Sequence, residues 1–349
     1  MRFFQFQRDA RGQTRRLLWW FAVMVALLLL AINGVLALAW QLSVGGALGY
    51  PRHFFLVNSG VTLLFVLGGW WVETSQLGQG GEALARRLGA REVRPSASED
   101  ERRYDHVVQE LSIAAGMSPP MAMVLPREGA INAFATGWTQ DDAVIAVTQG
   151  ALDALTREEL QGLVAHELSH IREGDTRLNM RLAGMVFVLE MIYRLGQSLI
   201  QPDERGRRHA GFLLGLAVMS VGWLGWLAGH ALQAAVSRQR EFLADARAVQ
   251  WTRQRDGLGR VLRKIAGQFK QGLTADRLEQ PTVQHMLLVS AEGGPMGRWL
   301  DAHPPLEQRI ARVYGGRMPA LAPHDGRSPA SAPAPAAFAD TVPHRLTKD

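Results

Sequence analysis

The sequence contains no cysteine. Disulfide bonds, thiolate metal ligands and a cysteine nucleophile are therefore excluded, and cysteine usage gives no information on the redox compartment. Lysine is also scarce, because the basic residues are almost all arginine. The net charge is +6 and the pI is about 10.2, but the arginines are spread widely and no basic helix or aromatic-interleaved patch occurs. We therefore expect no nucleic-acid partner.

Apolar residues are concentrated in long runs. Hydrophobic residues make up 47% of the chain although its mean hydropathy is only -0.03, which indicates segregation into apolar runs and charged blocks. Four runs have lengths suited to membrane helices: residues 17–42, 54–72, 182–200 and 212–236. The sequence thus predicts a multi-pass protein in contact with the lipid bilayer. In the third run Glu190 and Arg194 are either functional intramembrane charges or a simple ion pair near a helix end.

The charges around the first two runs predict their orientation. Residues 1–16 carry five arginines against one acid, Asp9. A cleavable signal peptide is the alternative for this end, but the apolar stretch is too long for one and a second span follows. The turn between the two runs has Arg52 as its clear cation. The positive-inside rule therefore places residues 1–16 and the chain after Glu73 in the cytoplasm.

Two polar stretches, residues 73–181 and 237–318, are predicted to form a soluble domain. The first contains three short β-like runs, which predict a small sheet with an edge strand available to an extended substrate: residues 122–125, 131–136 and 143–148. The second contains apolar residues at helical spacing, which predict helices packed under the site: residues 258–265 and 306–313. The proline- and alanine-rich residues 319–349 are predicted to be a disordered tail.

A His-Glu-x-x-His motif lies in the first soluble stretch. His166 and His170 are four residues apart, so a helix places both imidazoles on one face, with Glu167 about 100° round the axis. Thr156 and Glu159 form a capping box that predicts the start of this helix. Two neutral imidazoles suit zinc, which lowers the pKa of a water in its open position, and the glutamate accepts the proton. The motif therefore predicts a zinc hydrolase.

A mononuclear site with two histidines requires a third protein ligand. Glu241 and Asp245 are four residues apart on a later helix, so the first is the predicted ligand and the second is predicted to orient a ligand histidine. A solvated helix with Glu241 paired to nearby arginines is the alternative. We interpret Asp175, which follows Gly174, as the N-cap of the next helix rather than a ligand. His230 is interpreted as packed or solvated.

These motifs resemble those of the HtpX-like membrane zinc metallopeptidases, the group that also includes the CAAX prenyl endopeptidases. Two further segments carry the resemblance: Ile131-Asn132-Ala133-Phe134-Ala135-Thr136-Gly137 resembles the substrate-side strand of that family, and His303-Pro304-Pro305-Leu306-Glu307-Gln308-Arg309-Ile310 resembles its C-terminal His-Pro segment. The resemblance covers about residues 15 to 315. It implies an α-helical integral membrane protein with an α+β zincin-like metallopeptidase domain, which is mainly helical with a small β-sheet.

The resemblance also implies roles for individual residues. His166, His170 and Glu241 would bind one zinc ion and Glu167 would be the general base, while Asn132 and His303 are candidates for stabilising the oxyanion. The implied substrates are proteins or peptides, misfolded membrane proteins among them, in membrane protein quality control or processing. The implied location is the bacterial inner membrane, with the catalytic domain in the cytoplasm.

Two other functions are open to a chain of this kind. One is a catalytically silent or regulatory zinc-binding membrane scaffold, which has no need to keep His166, Glu167, His170 and Glu241 together. The other is a protease that cleaves within the membrane, which would place the motif in a lipid-length apolar segment. Charged residues surround this motif instead, so the site is expected outside the hydrocarbon.

Overall fold

The computed structural model describes residues 3–44, 49–201, 212–273, 287–289, 301 and 303–323. The helices in these ranges are α1 (Phe3–Val44), α2 (Phe54–Leu77), α3 (Gly81–Arg87), α4 (Glu99–Ala115), α5 (Gln149–Ala154), α6 (Arg157–Glu173), α7 (Asp175–Ile200), α8 (Phe212–Thr252), α9 (Asp256–Lys270) and α10 (Leu306–Tyr314). The strands are β1 (Arg91–Glu92), β2 (Met121–Leu125), β3 (Ala133–Thr136) and β4 (Val144–Thr148). The protein is mainly helical with one small sheet.

Three helical stretches in the described ranges are long and apolar enough to cross a membrane: Trp19–Leu42 in α1, Phe54–Ser75 in α2 and Phe212–Ala231 in α8. Large apolar side chains such as Leu30 and Leu64 are exposed on these helices. Lipid accepts such a surface, whereas water would not. The three stretches overlap the first, second and fourth apolar runs of the sequence.

The third apolar run, residues 182–200, forms most of α7 but is not among these stretches. Glu190 and Arg194 form an i, i+4 salt bridge of 2.8 Å on this helix, and their charges lower its apolar character. α7 nevertheless packs along α8 and α2. A Cβ atom on Gly196 would lie 2.3 Å from the backbone nitrogen of Met219, so α7 and α8 touch closely there. In the structure residues 182–200 lie in a helix, α7, that carries two charged positions in this stretch and packs against α8 and α2; that residues 182–200 span the membrane stays a prediction.

Helix α8 runs without a break from the membrane into the soluble domain. Its apolar stretch ends at Ala231, but the helix continues to Thr252. The predicted boundary between residues 236 and 237 therefore falls inside one helix. This continuity places Glu241 and Asp245 on the same rigid element as a membrane span.

The strands form a mixed sheet in the order β1-β2-β4-β3. β2 and β4 are parallel, and the two outer pairs are antiparallel. β3 is an edge strand, but residues 287–289 lie against it through an antiparallel pairing of Leu287 with Phe134. The backbone N–H of Leu288 donates to the carbonyl of Ala133 at 2.8 Å. The edge that was expected to be open to substrate is thus covered by the chain itself at this point.

Side-chain alternation along the strands divides the core into two layers. Ile145 and Val147 of β4 face a layer that includes α4, α6, α9 and α10. Val144 and Ala146 face the opposite layer, with α3 and Met180 of α7. Because successive side chains of a strand point to opposite faces, both faces of the sheet are buried. Helix α6 lies inside the larger layer.

Helix α9 packs against α6, and α10 packs against α9 and α8. Their buried side chains share one core with Leu163 and Leu168 of α6. Gly162 allows the closest contact, because a Cβ atom there would lie 2.2 Å from the backbone nitrogen of Leu258. Position 162 therefore requires glycine for α6 and α9 to meet.

The first residues of the predicted tail contact α9. The guanidinium of Arg263 donates to the carbonyl of Pro319 at 2.7 Å, and the backbone N–H of Leu321 donates to the carbonyl of Arg263 at 3.0 Å. Residues 319–323 therefore belong to the folded domain, which corrects the predicted start of the tail at 319. The rest of that prediction, residues 324–349, lies outside the described residues.

Candidate active site

The helix that carries the His-Glu-x-x-His motif has well-defined ends. At its start the Glu159 backbone N–H donates to the Thr156 hydroxyl at 3.3 Å, and the Thr156 N–H donates to the Glu159 carboxylate at 2.8 Å. This is the predicted capping box. At its end Gly174 adopts a left-handed conformation with φ of 75°, which an L side chain rarely tolerates. The chain therefore turns sharply one turn after His170.

The two histidines of α6 point at one place. Their Nε2 atoms are 3.1 Å apart, and His166 is completely buried. The i, i+4 spacing produces this approach, because such residues lie one above the other on a helix face. Two ring nitrogens this close together can bind the same cation.

Glu241 approaches the same place from α8. Its Oε1 lies 3.4 Å from Nε2 of His170, and its Oε2 lies 3.6 Å from Nε2 of His166. Zinc bonds to nitrogen and oxygen at ~2.0–2.2 Å, so two ligand atoms of a tetrahedral site lie ~3.3 Å apart. The three observed separations are close to that value. Among the described residues, His166, His170 and Glu241 are the group of side chains able to hold a metal ion, and their donor set suits zinc.

A carboxylate lies beside Nδ1 of each of the two histidines. Asp245, one turn after Glu241 on α8, places Oδ1 3.0 Å from Nδ1 of His166. Asp175 places Oδ2 3.0 Å from Nδ1 of His170. An ionised carboxylate only accepts hydrogen bonds, so at His170 the proton lies on Nδ1 and Nε2 presents its lone pair. Asp245 lies within ion-pair distance of His166 Nδ1. The orienting role was expected for Asp245, whereas the sequence interpretation of Asp175 was an N-cap.

A buried arginine stabilises the carboxylates of α8. Arg309 of α10 is fully buried and donates to both oxygens of Asp245, at 2.8 and 3.0 Å. Its Nη1 lies 3.1 Å from Oε2 of Glu241. Burial alone would raise the pKa of Glu241, but the charges of Arg309 and His303 and the hydrogen bonds from the two histidines of α6 together hold the pKa well below its ordinary value. Glu241 is therefore an anion and a competent ligand.

The fixed charges around the site match a dication. Four buried carboxylates lie close together: Asp175, Glu167, Glu241 and Asp245. Two guanidinium groups pair with them, those of Arg309 and Arg240. With neutral imidazoles these groups leave two negative charges in a buried volume. A bound Zn²⁺ ion would neutralise them, which offsets the cost of burying the carboxylates.

Glu167 has the environment of a general base. Its side chain is buried, and its Oε1 has no hydrogen-bond partner within the described ranges. Burial raises its pKa above the ordinary carboxyl value. A raised pKa brings a carboxylate closer to the range in which it accepts and returns a proton efficiently. These properties suit Glu167 to the role predicted for it from the motif.

His303, a predicted oxyanion group, reaches the site from the segment before α10. Its ring is buried, and its Nδ1 lies 3.5 Å from Oε2 of Glu241. Neither ring nitrogen has a hydrogen-bond partner in the part of the chain that the structure describes. A buried ring without partners beside a ligand carboxylate is available to a bound substrate.

Asn132, the other predicted oxyanion group, is engaged by backbone groups. Its Nδ2 donates to the carbonyl of Val289 at 2.9 Å, and its Oδ1 accepts from the N–H of Ala133 at 2.9 Å and of Leu288 at 3.1 Å. The Leu288 carbonyl in turn accepts from Arg309 at 2.8 Å. Asn132 thus fastens residues 287–289 to β3, and the structure does not bring it into the ligand group.

A membrane metallopeptidase is the class that this fold and this arrangement of side chains define. Residues 98–315 match the sequence profile described as Peptidase family M48, which covers more than half of the chain. The chain belongs to this family.

Two relatives by sequence agree with that membership. A Protease HtpX homolog from Syntrophobacter fumaroxidans is 31% identical over 77% of this chain and 92% of its own length. Another, from Dictyoglomus thermophilum, is 38% identical over 60% of this chain and 67% of its own length. The crystal structure of Ste24p from S. mikatae is 14% identical and has a TM-score of 0.42, covering 88% of this chain and 66% of that chain.

Two side chains of the site were not identified from the sequence. Arg309 lies inside the quoted His-Pro segment, but no spacing rule connects it to Asp245. Asp175 was considered as a ligand and rejected, because a helix register is lost past a glycine. His230, interpreted as packed, places its Nδ1 2.9 Å from the carbonyl of Trp226 in its own helix.

Proposed function

We propose that this membrane metallopeptidase is a zinc-dependent endopeptidase with a cytoplasm-facing site in the bacterial inner membrane. The observation that supports this proposal most strongly is the separation of 3.1 to 3.6 Å between the donor atoms of His166, His170 and Glu241. This spacing fits a tetrahedral zinc ion with one position left open. Protein and peptide chains, misfolded membrane proteins among them, are the proposed substrates.

The residues of the site divide the chemistry between them. Zinc, when bound, supplies Lewis acidity that polarises a scissile carbonyl and lowers the pKa of water. Glu167 accepts the proton of the attacking water and returns it to the leaving amine, for which its unpartnered Oε1 and raised pKa are suited. We assign to His303 the stabilisation of negative charge on the carbonyl oxygen. Asn132 keeps a positioning role at β3.

The site is proposed to lie beside the membrane, not within it. Glu241 follows the last residue of the apolar stretch, Ala231, by ten positions of continuous helix. At a rise of 1.5 Å per residue this corresponds to about 15 Å. Charged side chains near the site, such as Arg247 and Glu173, also suit an aqueous boundary. A site within the hydrocarbon would not tolerate them.

A silent zinc scaffold is the less supported alternative. A purely structural metal site is closed by four protein ligands, whereas three ligands converge here among the described residues. A scaffold also has no use for a buried Glu167 with an unpartnered oxygen, which costs stability. Both features favour an enzyme.

Metal analysis of the purified protein, together with digestion of casein and of an unfolded membrane protein, tests the proposal. We expect one zinc per chain and proteolysis that a chelator abolishes and added zinc restores. The matched control is the His166→Ala/His170→Ala protein, which should contain no zinc and digest neither substrate. Stoichiometric zinc without proteolysis of either substrate would favour the scaffold, and a zinc-free wild-type protein would overturn the proposal.

A further inference from the structure

We infer that Asp175 and Arg240 form a positioning pair, which orients His170 as a metal ligand and ties that orientation to the packing of α7 against α8. This inference rests on the proposed zinc site. It explains what fixes the orientation of His170. It also assigns a function to two residues that lie at the junction of the soluble and membrane parts.

The support of His166 provides the comparison. Asp245 lies 3.0 Å from Nδ1 of His166, and the guanidinium of Arg309 forms an ion pair with Asp245. A carboxylate that receives a second, charged partner has its orientation fixed, so it holds the imidazole in one tautomer and one rotamer. Arg309, Asp245 and His166 thus form a chain of three interacting side chains.

His170 ends a second chain of the same composition. Asp175 Oδ2 lies 3.0 Å from its Nδ1, and the Arg240 guanidinium forms an ion pair with Asp175. The Asp175 side chain is only 3% exposed and that of Arg240 19%, so solvent screens this pair little. A buried carboxylate in this position without a cation would be costly. Arg240 therefore holds the carboxylate of Asp175 in place beside the ring.

The two members of the pair come from the two helices of one hairpin. Asp175 is the first residue of α7, and the left-handed Gly174 turns it back onto the last turn of α6. Arg240 lies on α8, directly before the ligand Glu241. One short stretch of α8 thus supplies three groups. Glu241 is the proposed third ligand, Asp245 lies beside His166, and Arg240 pairs with the carboxylate beside His170.

The hairpin is packed firmly enough to transmit this constraint. A Cβ atom on Gly222 of α8 would lie 2.3 Å from the backbone nitrogen of Tyr193 on α7. Backbones in such close contact move together. The rotamer of His170 therefore follows the relative position of α7 and α8, and a hairpin that is not packed leaves this ligand poorly oriented.

The chain contains a matched control for this pair. Arg247 of α8 forms a 2.8 Å salt bridge with Glu173 of α6, and their side chains are 20% and 16% exposed. This bridge also joins α8 to the end of α6, but neither member contacts a ligand histidine. Arg247→Gln removes an interhelix ion pair of similar burial while leaving His170 and its partner in place.

The experiment measures zinc affinity of full-length Asp175→Asn, Arg240→Gln and Arg247→Gln proteins by competition with a chromophoric chelator. We expect ~10–100-fold weaker binding for Asp175→Asn, the range known for groups that orient a ligand. Arg240→Gln should also weaken binding, and Arg247→Gln should leave it unchanged. Asp175→Glu should recover part of the loss. The visible spectrum of the cobalt-substituted protein should change in the first two variants alone, because it reports ligand orientation rather than stability.

The possible outcomes separate this inference from the proposed function. A wild-type protein that binds no zinc overturns both. Wild-type zinc affinity in Asp175→Asn and Arg240→Gln overturns the positioning role and leaves the zinc site intact. Equal weakening by Arg247→Gln also overturns it, because the effect would then be general loosening of the helices. Thermal unfolding of the metal-free proteins verifies that all variants fold.

Discussion

Arg309 donates two hydrogen bonds to Asp245 inside the protein, at 2.8 and 3.0 Å. The pair joins the last described helix of the domain, α10, to the helix that crosses the membrane. Because Asp245 also holds His166, the ion pair connects the stability of the domain to the metal site.

Replacement of Arg309 by leucine should therefore be severe. It leaves two buried carboxylates, those of Asp245 and Glu241, without their cation, and removal of one partner of a buried pair costs ~3–5 kcal/mol. Denaturant unfolding of the metal-free protein in detergent measures the loss. The double variant with Asp245→Asn should lose less than the sum of the two single changes. Strict additivity would show that the pair is not coupled.

Glu167→Gln should separate metal binding from catalysis. The amide keeps the size of the side chain but cannot accept a proton, so hydrolysis should fall by at least ~10²–10⁴. Zinc content, measured by elemental analysis, should stay at the wild-type level because Glu167 is not a ligand. Full activity in a zinc-loaded variant would refute the assignment of the base.

Glu241→Ala and Asp245→Ala should differ in severity. Loss of Glu241 removes the anionic ligand, so zinc binding and proteolysis should disappear together. Loss of Asp245 removes only the support of His166, and affinity or activity should fall ~10–100-fold. Tight binding of one zinc by the Glu241→Ala protein would mean that another residue is the third ligand.

The orientation of the site is open to direct measurement. Arginines crowd residues 1–16 and the region 238–264, which favours the cytoplasm for both. Alkaline phosphatase fused after Glu73 or Asp245 should be inactive, and a fluorescent protein at the same points should fold and emit. Active phosphatase at either point would reverse the topology.

Gly162→Ala should destabilise the soluble domain. The added Cβ would lie 2.2 Å from the backbone nitrogen of Leu258, so α6 and α9 must separate, at a cost of ~1–3 kcal/mol. Gly60→Ala is the control, since it lies in helix α2 and a Cβ there meets nothing within 4 Å. Thermal unfolding should show a lower midpoint for the first variant only. An unchanged midpoint for Gly162→Ala would mean that the helices adjust freely.

Local spacing explains which parts of the site were predictable. His166 and His170 are one turn of helix apart, as are Glu241 and Asp245, so helical geometry alone places each pair on one face. Glu167 is adjacent to His166 and lies about 100° round the axis. The capping box of α6 is predictable for the same reason.

Features that depend on contacts between distant segments were not predictable in this way. The pairing of Arg309 with Asp245, and the covering of β3 by residues 287–289, arise only when the layers of the domain assemble. Asp175 was misinterpreted because the turn at Gly174 changes the direction of the chain. The sequence predicted a helix at residues 182–200, but its packing along α8 and α2 depends on contacts between distant segments.

The unbroken length of α8 makes the bilayer part of the geometry of the site. Glu241 stands about 15 Å of rigid helix beyond the apolar stretch. A tilt of ~4° about the membrane end would shift it by ~1 Å, and displacements of that size can cost an enzyme ~10²-fold in rate. A change in membrane thickness that tilts α8 relative to α6 would therefore change the distance between Glu241 and the two histidines of α6.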